Sequence, residues 1–444
     1  MTPRMFRDPI RLIPVLFLAF IAAGTILLSL PFARVEDGGA PFMTALFTAT
    51  SAVAVTGLIT VDTPTYWTGF GQGVILLLFQ IGGFGIMTAA TLLGLLAGRS
   101  FGLRERLATN VERDRLDIGS AASVLKLVLK ITLAVESIVW AILTLRLRLT
   151  YDYEWGSALW HGAFQSISAF NNAGFSTYSD SLMGFQTDPV MLGPIMIAVI
   201  ITALGFPVMQ ELRARPFAVR RWTLHSKITV LGTVVLLLAG FVGILVSEWS
   251  NPDTLGPLGS GSKALNAAFH SVMPRTAGFN SLNVGAFRDE TIAGNYFLMF
   301  VGGGSAGTAG GIKITTFVLL LIVVFSEIRG RRDATVFGRR AGKGAERQAL
   351  TVVMLALILI AIGTVIILAV TPHPLRDVLF EVISAFSTVG LSTGITGSLP
   401  PSAQLTLIIL MFVGRVGTIT VATALALGST RRTYRYPEEN PIVG

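Results

Sequence analysis

The sequence predicts an all-α integral membrane protein made of four parallel repeats, each a span, a re-entrant half-helix and a second span. Three observations predict it. The chain of 444 residues is 52% hydrophobic and only 13% charged, with a mean hydropathy of +0.69, whereas a soluble protein carries about 25% charged residues. Several apolar runs approach the ~20 residues that cross a hydrocarbon core. Between them, one short Gly-centred segment is written four times. The apolar run after Arg11 continues to Leu30, too long for a cleaved signal peptide. Cys is absent, which excludes disulfides and thiolate metal sites, and His161, His225, His270 and His373 lack ligand spacing.

The long apolar segments fall at 10–31, 70–98, 121–147, 188–210, 225–248, 292–328, 350–371 and 402–428. Eight spans put both termini on one side. Shorter segments at 40–54, 158–171, 262–275 and 375–387 are too short to span and match re-entrant elements. The repeats therefore occupy 1–98, 121–210, 225–328 and 350–428, with a tail at 429–444. The loops 98–120, 211–227 and 327–349 carry 5, 5 and 7 Lys or Arg. By the positive-inside rule these loops and both termini are cytoplasmic, in a multi-pass protein of the inner membrane. Arg146 and Arg148 go against this trend and are expected to snorkel to headgroups. The net charge of +9 is thus a topology signal. No soluble basic domain for nucleic acid is present.

The short segments end alike: FTATSAVAVTGL at Leu58, FQSISAFNNAGF at Phe175, FHSVMPRTAGF at Phe279 and FEVISAFSTVGL at Leu391. Their glycines, Gly57, Gly174, Gly278 and Gly390, recur at roughly 110-residue intervals, which implies four like units around an axis normal to the membrane. Irregular backbone at membrane depth is tolerated only inside protein or along a watery cavity. Four half-helix C-termini converging there favour a cation. A Gly at each turn permits φ > 0, so that successive carbonyls face the axis and replace an ion's hydration shell. The preceding pairs, Val55-Thr56, Asn172-Ala173, Thr276-Ala277 and Thr388-Val389, differ among repeats, so coordination is expected from carbonyls. In the third repeat, Met273-Pro274 predicts a shortened or kinked half-helix.

A second Gly-rich element, GGGSAGTAGGIK, lies inside 292–328. Six Gly in ten residues at ~1 kcal/mol each break the span at mid-membrane. The residues are Gly302, Gly303, Gly304, Ser305, Ala306, Gly307, Thr308, Ala309, Gly310, Gly311 and, one past Ile312, Lys313. The expectation is a movable loop over 302–312 obstructing the cytoplasmic side of a pore. A hinge for close packing is the milder reading. A phosphate-binding loop is disfavoured, because Ile312 separates the last Gly from Lys313. Arg415 stands mid-span, where a charge needs a cavity or a partner. Glu136 is expected to pair with a cation. Acids crowd the outer connections, and Glu381 inside the fourth short segment adds to their field.

With TSAVAVTGL, SAFNNAGF, RTAGFNS and SAFSTVGLS on four long–short–long units, the chain resembles the Trk/Ktr/HKT superfamily of potassium transporters from Ile10 to about Leu427. It is most similar to the Ktr-type membrane subunits, since Trk-type chains usually have extra leading spans. The resemblance implies a central potassium pore, with the four pairs above and their glycines as selectivity filter. It implies an intramembrane gate at the Gly loop, with Arg415 projecting below the filter and Lys313 beside it. It further implies transported K+, Na+ as activator, no organic cofactor on this chain, a homodimer in membrane lipid, and a separate cytoplasmic RCK-type nucleotide-binding regulatory subunit that binds ATP or ADP. The basic segment RGRRDATVFGRRAGKGAER is a candidate contact for that subunit or for anionic lipid. An alternating-access carrier and a Trk-type subunit with another regulator are the rival readings. An enzyme is disfavoured, because no nucleophile–base pair or metal cluster is visible.

Overall fold

The computed structural model describes residues 9–100, 121–305, 307–331, 333–340 and 342–417. The first long helix, α1 (Pro9–Leu28), leads to a short one, α2 (Phe42–Val53). A single turn, α3 (Thr63–Tyr66), precedes α4 (Gly69–Ser100). Next come α5 (Ala121–Thr150), α6 (Trp155–Asn171) and α7 (Pro189–Leu204), the last continued by α8 (Phe206–Ala214). Then follow α9 (Leu224–Glu248), α10 (Ser260–Val272), α11 (Asp289–Phe300) and α12 (Ile314–Ile328). The chain closes with α13 (Lys343–Val370), α14 (Leu375–Phe386) and α15 (Pro401–Phe412). A small hairpin, β1 (Thr335–Val336) against β2 (Arg339–Arg340), joins α12 to α13. Among the described residues, three helices are long and apolar enough to cross a membrane: Lys126–Thr150, Leu224–Glu248 and Gly344–Val370.

The short helices α2, α6, α10 and α14 each pack on the long helix before them. Each also meets the helix that closes the preceding unit: α4 touches α6, α7 touches α10, α11 touches α14, and α15 returns to α2. The contacts therefore run in a circle. Phe47, Phe164, Phe269 and Phe380, one per short helix, are completely buried in this arrangement. Lipid supplies no hydrophobic drive between helices, so such contacts hold by close packing and hydrogen bonds.

Three segments depart from simple spans. The run 188–210, expected as one span, bends by 99° between α7 and α8. The pivot is Gly205, with φ +88°, followed by Phe206-Pro207. A side chain there would meet Ser305 O. The run 292–328 stops at Phe300 and resumes at Ile314. The last helix loosens after Phe412 into a π-turn over Val413–Gly417, a local irregularity often found at functional positions. The outer cations find protein partners: Arg146 Nε donates to Asp188 Oδ2 at 2.8 Å. Arg148 donates to Tyr153 O and lies over the Trp155 ring. Among the described residues, Glu136 has the amides of Gln80 and Asn171 beside it and forms no ion pair. The reason is that both amides sit on helices packed directly against α5, whereas Lys130 lies almost two turns away along it.

Candidate functional site

Each short helix ends in the same backbone turn. The residue two before the Gly is left-handed in all four: Val55 (φ +56°), Asn172 (+59°), Thr276 (+89°) and Thr388 (+50°). The glycines follow with φ of +89° at Gly57, +70° at Gly174, +71° at Gly278 and +94° at Gly390. Left-handed backbone at a β-branched residue is uncommon and is held only by its surroundings. Part of the hold is a serine in the short helix. Ser51 Oγ and Ser384 Oγ accept from the N–H of Gly57 and Gly390, while Ser168 Oγ donates to Phe175 O at 2.7 Å. Backbone bonds add to it: Thr56 N to Ser51 O, Ala173 N to Ser168 O and Val389 N to Ser384 O, each 2.8 Å. In the third turn Met273 replaces the serine. There α10 stops at Val272, the Met273–Arg275 turn is 3-10, and Met273 O accepts from both Ala277 and Gly278. Pro274 cannot donate, so the chain tightens instead of continuing the α-helix.

The four turns interlock through their glycines. A Cβ placed on Gly57 would come within 3.0 Å of Ala173 O; on Gly174, of Ala277 O; on Gly278, of Val389 O; and on Gly390, of Thr56 O. Each glycine thus abuts the carbonyl preceding the next glycine, and the fourth closes on the first. No side chain fits at any of these junctions. On one side of the ring lies a cavity of about 270 Å³ whose walls include all four glycines, with Asp62, Asp180, Ser392 and Thr396 around it. Asp62 is positioned by hydroxyl donors from Thr65 and Ser179 at 2.6 and 2.7 Å.

The Gly-rich segment lies on the other side. Its backbone is tied to itself by Gly302 N to Ile312 O (2.9 Å) and Ile314 N to Gly303 O (3.0 Å), and to the α7–α8 bend by Gly304 N to Ala203 O (2.7 Å). Gly310 packs so closely on Thr388 Oγ1 and Ser387 O that it has no room for a Cβ. Buried Arg415, presented by the π-turn, donates through Nη1 to Thr308 O, and Lys313 Nζ donates to Ala309 O. The sequence-predicted residues therefore converge, with Ala306 outside the described residues. Arg275 was not anticipated. It is buried and reaches Thr233 and Gly302 O at 3.4–3.5 Å, joining the third turn to the start of the Gly segment. The break at Gly205 was also missed, although Gly-Phe-Pro inside an apolar run is a legible stop signal. The left-handed non-Gly residues carried no sequence signal.

A family model described as TrkH, cation transport protein, matches residues 2–432. The Ktr system potassium uptake protein B of Bacillus subtilis is 37% identical over 437 residues, covering 98% of this chain and 97% of that protein. The potassium/sodium uptake protein NtpJ of Enterococcus hirae is 35% identical over 446 residues, covering 98% and 97%. Among solved structures, the potassium transporter TrkH from Vibrio parahaemolyticus shares the fold at a TM-score of 0.74. It is 18% identical and covers 93% of this chain and 84% of that one.

Proposed function

Because the chain belongs to the TrkH family of cation transport proteins, we propose that it is the pore-forming membrane subunit of a Ktr-type potassium uptake system in the cytoplasmic membrane. The observation that carries this reading is the closed ring of four glycine–carbonyl junctions between the mouth cavity and the Gly-rich segment. Potassium enters at the acidic mouth, exchanges its water for carbonyls of the pairs Val55-Thr56, Asn172-Ala173, Thr276-Ala277 and Thr388-Val389 with their glycines, and meets a closed gate below. The gate is the loop Gly302–Ile312, pinned by Arg415 and Lys313 through Thr308 O and Ala309 O. Buried Arg415 and part-buried Lys313 add an electrostatic barrier until the loop moves. A separate cytoplasmic nucleotide-binding subunit would move it, and the membrane subunit would work as a homodimer with both termini cytoplasmic.

One glycine per turn makes a less strictly built filter than two. Together with the likeness to a potassium/sodium uptake protein, this supports some sodium permeation as a second reading. Rubidium and sodium uptake into proteoliposomes tests both. Wild type is expected to take up rubidium. Gly174→Ser, which forces a side chain against the third turn, is expected to lose about tenfold in rubidium-over-sodium preference, ~1.4 kcal/mol. No alkali-cation flux from folded wild type would return the carrier reading.

A further inference from the structure

We propose that Glu381 is the charge that draws cations into the mouth, a positioning residue that acts through the hydroxyls lining the cavity without touching the ion; this rests on the transport reading above. Glu381 belongs to α14 and is completely buried. Its Oε1 accepts from Ser392 Oγ at 2.5 Å and from the Thr393 N–H at 3.1 Å, and its Oε2 accepts from Thr396 Oγ1 at 2.7 Å. All three partners are donors, the set that suits an anion. Ser392 and Thr396 line the mouth cavity. Their protons turn back to Glu381; Ser392 Oγ also accepts from the Gly394 N–H at 2.8 Å and lies 3.0 Å from Thr396 Oγ1, and the lone pairs that remain are left for the cavity, so the buried charge polarises the wall that an arriving cation meets.

The second turn shows what the tether alone requires. Gln165, in the corresponding place on α6, donates through Nε2 to Ser176 Oγ at 2.7 Å, and Ser176 lines the same cavity. A neutral amide therefore holds the returning strand there. The carboxylate at Glu381 adds a charge that holding the strand does not need. Asp377, one turn earlier on α14, is the other acid facing it, while Asp62 and Asp180 stand elsewhere around the mouth.

Glu381→Gln makes the fourth turn resemble the second. In rubidium uptake by full-length protein in liposomes, the expected result is a KM raised about tenfold at low ionic strength. That rise should shrink in choline chloride, with maximal flux and rubidium-over-sodium preference unchanged within about twofold. Gln165→Glu places a second charge at the matching site and is expected to lower KM at low ionic strength. A KM that does not respond in either variant overturns the proposal while leaving the pore reading intact. Equal losses in KM and maximal flux at every ionic strength also overturn it, since that is the signature of a broken tether. Absence of rubidium uptake by wild type overturns both.

Discussion

At the scale of single residues, position and not chemical type decides the role of each charge. Asp188 caps α7, accepting from Val190 N–H at 2.9 Å, and also receives Arg146 and the Tyr151 hydroxyl. Burial alone would raise its carboxyl pKa, but the hydrogen bonds from Arg146, Val190 and Tyr151 outweigh it and hold it below the ordinary 3.8. A depressed carboxyl stabilises the fold fully above the unfolded value, and that contribution is lost as pH falls below 3.8 through the native one. Asp188→Asn is expected to cost about 1 kcal/mol, the modest figure for a pair reached by solvent through Arg146. Thermal unfolding in detergent at neutral pH should show the loss, and the gap between variant and wild type should narrow under acid. Glu381 and Gln165 make the same point in reverse: one scaffold carries a charge, the other an amide, and only the charge alters the field at the mouth.

At the scale of elements, the Gly-rich segment gains its shape from what it packs against. Its glycines are required by the approach to Ala203 O, Leu204 O and Thr388 Oγ1, contacts that leave no space for a Cβ. The bend at Gly205 supplies the surface on which that segment rests, which is why α7 and α8 do not form one straight span. Deleting 303–310 is expected to raise rubidium flux at least tenfold, as removal of a barrier of ~1.4 kcal/mol or more would. Arg415→Ala, which removes the donor to Thr308 O, is expected to move flux the same way by a smaller factor. Flux measured on reconstituted protein checks both, and silence from both with wild-type flux intact would remove the loop from the gate.

At the scale of the whole molecule, four units close a circle in which the last helix of one unit supports the short helix of the next. Each glycine turn is completed by the carbonyl of a neighbour. A mutation in one turn is therefore expected to disturb the adjoining turn as well. The hairpin β1–β2, within the basic segment 327–349, packs on α12 and presents an exposed basic face at Arg339 and Arg340. Co-purification with a candidate nucleotide-binding subunit, with and without Arg339 and Arg340 changed to Glu, tests that face. Retained binding by the variant would assign the charge to lipid.

The helical class, the family and the two Gly-centred elements were legible in the sequence, because composition, hydropathy and glycine spacing are local properties that lipid and backbone sterics read directly. The serine behind three of the four turns was also there to read in SAVAVTG, SAFNNAG and SAFSTVG, although its hydrogen bond there was not. What only the tertiary structure decided is long-range: left-handed Val55 and Thr388, the bend at Gly205, Arg275 against Gly302, and Arg146 on Asp188. In each case the conformation or partner is imposed by a segment distant in the chain. Sequence determines which residues can turn, break or carry charge; packing around the ring determines which neighbour makes them do so.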